Sequence, residues 1–256
     1  MEGMNAIIQQ IEHQTGRHIP RMTKADRQAY LKQRQQNERA LVEQYQRQHA
    51  MQFMQQRSLY SEQGVLEHRF NDLDPESPAG FKELARRARD MANEFIGGEH
   101  YAVCLTGKPG SGKTLLASAM LNMIHQAQPL TKCLFVSAPL LAELAYAQYH
   151  DNEVKRRERY YQVMQDIKEA DVMVLDDLGT ESSMQSMSRQ AANTVQKTLF
   201  QVGDTLQHKS LIVTTNHTPD QLKDIYNPKV ISRIITANPR HVLSFMDVPD
   251  YRAKHL

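Results

Sequence analysis

Apolar and polar positions alternate in two different ways along this 256-residue chain. From about residue 98 onwards, short apolar runs are separated by longer segments of helical period. The runs at 101–106, 133–137, 172–176, 211–215 and 242–246 read as strands. Helices are predicted between them at about 113–126, 139–149, 152–169 and 183–202, after a helix at 81–95 closed by Gly97-Gly98. Short apolar runs joined by helical crossovers predict an α/β fold: a three-layer sandwich around a five-stranded parallel sheet.

The first 70 residues follow another pattern. Ile7, Ile8 and Ile11 form a short helical stripe that stops at Thr15-Gly16. After Pro20, the Thr23-Lys24-Ala25-Asp26 segment resembles a capping box. From there to Gln63 there is no proline or glycine, and Leu31, Leu41, Val42, Tyr45, Phe53 and Met54 are sparse apolar positions in a polar field. This predicts one long helix or a helical pair with a narrow apolar seam. Such a seam reads either as a partly ordered tail or as a module that needs a partner to bury it, and the second reading is preferred. The loop-like stretch 71–80, with two prolines and a glycine, separates the two patterns.

Composition narrows the picture only modestly. Hydrophobic residues make up 40% and charged residues 23%, enough for an ordinary core. The first 70 residues hold 14 glutamines, and ten Lys and Arg against seven Asp and Glu, leaving 21 against 22 in the remainder. A net charge of +2 does not mark the whole chain as a polyanion binder. No apolar run approaches the ~18 residues that a membrane span needs. The N-terminus lacks a secretory pattern, so a soluble intracellular protein is expected. Cys104 and Cys133 sit inside apolar runs and read as small buried hydrophobes, and scattered histidines in residues 1–70 do not make a zinc site.

The most specific chemistry lies at Gly107-Lys108-Pro109-Gly110-Ser111-Gly112-Lys113-Thr114, which fits G-x-x-x-x-G-K-[ST] between an apolar strand and a helix. Backbone N–H groups of such a loop turn inward around phosphate oxygens, and the helix N-terminus adds its positive end. Lys113 is placed to reach the β- and γ-phosphates of a nucleoside triphosphate, and the Thr114 hydroxyl to ligate Mg2+. About 60 residues later, an apolar strand delivers Asp176 and Asp177 to its C-terminal end, where alternation sends them in different directions. Asp176 is expected to hold the magnesium through water and Asp177 to polarise the attacking water. Asp177 is one methylene shorter than the glutamate common at this position. A third strand ends in Thr214-Thr215-Asn216; Asn216 is the preferred residue for positioning the γ-phosphate or the water, ahead of Thr215, with a turn cap as the alternative. Arg233, alone in an apolar helical stretch, reads either as a salt-bridge partner or as a finger reaching the nucleotide of a neighbouring subunit.

Together these stretches resemble the AAA+ ATPases, and among them the DnaC/DnaI-type replicative helicase loaders and the related IstB-type transposition ATPases. Leu211-Ile212-Val213-Thr214-Thr215-Asn216 looks like sensor 1 and Ile231-Ser232-Arg233-Ile234 like the arginine-finger box. Asp250-Tyr251-Arg252 is similar to the S-Y-R ending of the group, which would make Arg252 a nucleotide-facing residue; a frayed tail is the alternative. The stretch His68 to Leu73 resembles the segment lying near the adenine. Only ten residues follow Met246, too few for the helical lid of most AAA+ proteins. The resemblance implies a helical, Gln-rich helicase-docking module at 1–68 and an AAA+ ATPase domain at 69–256. It further implies a hexameric replicative DNA helicase and single-stranded DNA as partners, self-association through ATP-bridged interfaces, and a cytoplasmic setting in a bacterial or phage-infected cell. Lys155 to Tyr161, which mixes cations with two tyrosines, and residues 180–189 are candidates for DNA contact, the first also readable as a solvated helix face. An IstB-like ATPase acting on duplex DNA and a weakly hydrolysing adaptor that sequesters the helicase remain alternatives.

Overall fold

A computed structural model describes residues 2–16, 23–74, 76–150, 154–180, 189–236 and 238–250. The chain divides into two compact units, residues 1–46 and 47–256. In the first lie helix α1 (Glu2–Thr15) and most of helix α2 (Lys24–Arg57). The start of α2 is a reciprocal cap, as the sequence predicts: the Thr23 N–H donates to Asp26 Oδ2 (3.0 Å), and the Asp26 N–H to Thr23 Oγ1 (3.1 Å). In this unit Leu31, Leu41 and Val42 are exposed.

The second unit begins at Arg47 and so takes in the last turns of α2, where Ala50, Phe53 and Met54 are buried. It continues through α3 (Ala79–Ile96), β1 (Ala102–Thr106), α4 (Lys113–Ala127), β2 (Cys133–Ser137), α5 (Ala138–His150), α6 (Val154–Glu169) and β3 (Val172–Leu178). Then follow α7 (Arg189–Thr205), β4 (Ser210–Thr215), α8 (Pro219–Ile225), α9 (Pro228–Ile234) and β5 (Val242–Ser244). The five strands form one sheet in the order β2-β3-β4-β1-β5, every pair parallel. This is the three-layer α/β architecture expected from the sequence. A sheet buried on both faces needs apolar residues at nearly every position, and β4 is buried along its whole length.

The two-residue period sorts the strands into two cores. Cys104, Leu134, Met173, Leu175 and Val213 pack with α5, α6, α7 and α9, whereas Val103, Leu105, Phe135, Val174 and Ile212 pack with α3 and α4. Burial pushes the Cys104 thiol up to about 12 and raises Cys133 as well, with Asp171 adding to the effect at Cys133, in keeping with inert core positions.

One element is not evident from the pattern. Just after α2, Leu59 pairs in parallel with Val136 at the free edge of β2. The Leu59 N–H donates to Phe135 O (2.8 Å), the Ser137 N–H to Leu59 O (2.7 Å), and the Phe135 N–H to Ser58 Oγ (3.0 Å). Edge groups of β2 that would otherwise be unpaired are satisfied in this way. Among the described residues no helix is long and apolar enough to cross a membrane.

Candidate functional site

In a parallel α/β sheet the strand ends and helix N-termini meet at the carboxyl edge, where loops leave a crevice. Here that crevice is a cleft of about 780 Å³, inside the ~300–1,000 Å³ range of ligand pockets. One wall is the loop between β1 and α4. The other includes Tyr60, His68 and Leu73 from the segment preceding α3, and Asp176, Asp177 and Asn216 lie at the strand ends.

The loop depends on glycine where its neighbours come closest. Gly112 has φ +90°, and a Cβ there would lie 2.7 Å from the Phe81 ring; at Gly107 (φ +152°) it would meet the Phe245 backbone at 2.7 Å. Both positions therefore demand glycine on conformational and steric grounds. Lys113 is buried, and its Nζ donates to Gly107 O (2.9 Å) and Lys108 O (2.7 Å), the latter also accepting from Ser111 Oγ (2.7 Å). A buried ammonium is thus held inside the loop curve by two backbone carbonyls, a suitable partner for anionic oxygens. Lys108 and Pro109 are exposed and Gly110 is half-buried, with the Asp250 carboxyl against it. Arg252 lies outside the described residues.

At the strand ends a polar network joins four sequence-predicted residues, Thr114, Asp176, Asp177 and Asn216, through Thr214, which the motifs do not single out. Asp176 Oδ1 accepts from Thr114 Oγ1 (2.9 Å) and from Thr214 Oγ1 (2.7 Å). Thr214 Oγ1 in turn accepts from the Asp177 N–H (2.8 Å), while Asn216 Nδ2 donates to Asp177 Oδ1 (2.9 Å). Thr214 is the hub. Its signal was the position next to Thr215 in an otherwise apolar strand, because alternation gives adjacent threonines opposite faces. Thr215 serves the backbone instead, donating to Leu178 O (2.7 Å).

The expectation that simple alternation separates Asp176 from Asp177 needs correction. The β3–β4 register shifts between Leu175 and Leu178, and Asp177 adopts φ +59°. A left-handed aspartate costs little compared with a branched residue, and its N–H is fixed by Thr214.

Burial raises the Asp176 carboxyl above its ordinary value, against the two hydroxyl donors that lower it; Asp177 and Glu62 add to the rise. Because its proton affinity is higher in the folded state, this group favours folding most fully below its ordinary value of 3.8, and that contribution is lost as pH rises through the folded value. The nucleotide-free protein should therefore show a stability term that falls across this window and is absent from Asp176→Asn. Thermal denaturation against pH, with and without Mg2+, checks this; a cation that pairs with the carboxylate should remove the fall.

The residues present fit a magnesium–triphosphate. A desolvated carboxylate beside a threonine hydroxyl offers hard oxygen donors, and Lys113 with the glycine-lined loop offers the cradle for phosphate. Thr114 and Asp176 are the residues that could hold the metal.

Other predicted residues lie elsewhere. Arg233, at the end of α9, does not line this cleft; it packs against α7. On α6, Tyr160 is buried with its hydroxyl 3.1 Å from Thr198 Oγ1, whereas Tyr161 and Lys155 to Glu158 are exposed, so that stretch shows both an inward and an outward tyrosine. Of residues 180–189, positions 181–188 lie outside the described residues; Thr180 lines the cleft.

The family model of the ATPase family associated with various cellular activities (AAA) matches residues 103–236, more than half of the chain. Among solved structures, the chain is similar to the DnaC helicase loader, with TM-score 0.52 and 19% identity over 72% of this chain and 99% of that one. It is also similar to DnaI, with TM-score 0.50 and 21% identity over 75% and 95%. AMPPCP-bound DnaA from Aquifex aeolicus gives TM-score 0.51 and 18% identity over 70% of this chain, which spans 50% of the DnaA chain. At such identities the likeness describes the fold. No curated protein matches the chain in sequence. The family match runs from β1 through α9 and so contains the glycine-rich loop, the paired aspartates and the polar end of β4: this chain belongs to the AAA family of ATPases.

Proposed function

We propose that this protein is an ATP-dependent loader that binds a hexameric replicative DNA helicase and delivers it to single-stranded DNA. In this reading residues 1–68 are the docking module and 69–256 the AAA+ ATPase domain. The observation that carries it is the exposed apolar seam on α2, in a chain whose ATPase fold is shared with the DnaC helicase loader. Leu31 and Val42 are eleven positions apart, three helical turns, so they share one face with Leu41 beside them. They are 48%, 55% and 68% exposed respectively, in a field of Gln, Arg and Glu.

In the ATPase, residues Gly107 to Thr114 cradle the phosphates, with Lys113 on the β- and γ-groups. Thr114 and Asp176 hold Mg2+, which when bound neutralises charge on the phosphate oxygens. Asp177, tethered by Asn216, orients the attacking water and takes its proton. Arg233 acts on the nucleotide of a neighbouring copy, so that hydrolysis depends on self-association. Arg252, outside the described residues, is a proposed nucleotide contact.

The test is capture of the host's replicative helicase by the full chain and by the triple variant Leu31→Glu, Leu41→Glu, Val42→Glu. Capture by the wild type and not by the variant, with nucleotide binding unchanged in both, is the expected result. No capture by either, together with ATPase activity stimulated by duplex DNA, would replace this reading with a transposition-type one. Capture without measurable turnover would favour a sequestering adaptor, a reading that the short Asp177 side chain supports.

A further inference from the structure

Arg233 is held both on its planar face and through its N–H groups. Its guanidinium lies 4.3 Å above the Phe200 ring on α7. Nε donates to Asp204 Oδ1 (3.4 Å), and one terminal nitrogen donates to Lys229 O (2.9 Å) within its own helix. Between Phe200 and Asp204, Gly203 lets the helices approach: a Cβ there would sit 2.7 Å from Arg233 Cβ and 3.1 Å from Ile234 Cγ1. Phe200, Gly203 and Asp204 are spaced i, i+3, i+4, so a stacking surface, a gap and a carboxylate line up on one face of α7.

We infer that Phe200, Gly203 and Asp204 form a seat that orients Arg233 before a neighbouring copy presents its nucleotide. The inference rests on the trans role of Arg233 proposed above and adds its positioning residues. Stability alone is a poor explanation, because the Asp204 side chain is 59% exposed, and exposed ion pairs contribute little to folding. The Arg233 side chain keeps 26% of its surface accessible, so it is constrained without being enclosed. A guanidinium stacked on a ring and tied through Nε has lost the rotamer freedom that it would otherwise lose on reaching a phosphate, and a planar fork held in one direction gains most from such preorganisation. Asp204 and Phe200 do not line the cleft of their own chain; they act through Arg233.

Steady-state ATP hydrolysis by the full chain, measured across protein concentrations where it self-associates, tests the seat. Asp204→Asn is expected to lower kcat about tenfold with KM and nucleotide affinity unchanged. Phe200→Leu should act in the same direction, and Asp204→Glu should restore most of the rate. In an Arg233→Ala background, Asp204→Asn should have no further effect, since a positioning residue has nothing left to position. If Asp204→Asn slows the Arg233→Ala protein as much as the wild type, the seat is wrong, because the carboxylate then acts by another route. If Arg233→Ala lowers kcat while Asp204→Asn and Phe200→Leu leave it intact, the seat fails and the trans role stands. If Arg233→Ala hydrolyses ATP normally, the trans role itself fails and the seat with it.

Discussion

Asp176→Asn is expected to cut ATP turnover by ~100-fold or more while leaving the protein at least as stable as the wild type. The two effects have one cause. Asp176 sits at the carboxyl edge of the sheet, where burial disfavours its charge and raises its proton affinity. The amide oxygen of asparagine can still accept from Thr114 and Thr214, which meet the carboxylate at 2.9 and 2.7 Å. The variant therefore keeps both hydrogen bonds and sheds a desolvated charge, a change of the kind that stabilises by ~0.5–2 kcal/mol. What it loses is the anionic ligand proposed above for magnesium. Turnover assays paired with denaturant melts at neutral pH read both arms. A variant that is inactive and also strongly destabilised would mean that the carboxylate is compensated in the nucleotide-free fold by more than these two donors.

Thr214→Val should be the more damaging change for the fold, although it removes only a hydroxyl from a nearly isosteric side chain. Thr214 is buried, and its Oγ1 both donates to Asp176 and accepts the Asp177 N–H. Valine leaves that N–H without an acceptor beside a left-handed residue and takes one of two donors from a buried carboxylate. An unsatisfied buried group of this kind costs ~1–3 kcal/mol. Because the Thr214 bond lowers the Asp176 proton affinity, its loss should also shift magnesium-dependent hydrolysis to higher pH. Thr214→Ser, which keeps the hydroxyl, should retain stability and pH profile; urea melts and pH–rate profiles of the two variants separate the effects. Equal stability of Thr214→Val and wild type would show that the hub carries no net free energy.

Much of the fold was legible because a parallel sheet buried on both faces leaves a strong signature. The five apolar runs became the five strands, with β3 extending to Leu178 and β5 ending at Ser244. The glycine-rich loop was legible because its chemistry is local: the glycines, the lysine and the threonine act within one turn of chain. The pairing of Leu59 with β2 was hidden, since a single bridge has no period, and so was the short capped helix α8 after Thr218. Thr214 is not distinguishable by pattern for a related reason: two adjacent threonines differ only in which face of the sheet they occupy, and that depends on register with β3.

By itself the sequence determined the α/β class, the position of the phosphate loop and the carboxylates that follow it, because hydrophobic period and motif spacing are properties of neighbouring residues. Tertiary structure decided which hydroxyl bridges Asp176 and Asp177, where alternation breaks, and that Arg233 stacks on α7 away from its own chain's cleft. Those features depend on strands and helices far apart in the chain coming within 3 or 4 Å of each other. No local pattern encodes such distances; they follow from the order β2-β3-β4-β1-β5 and from the close helix packing that Gly203 permits.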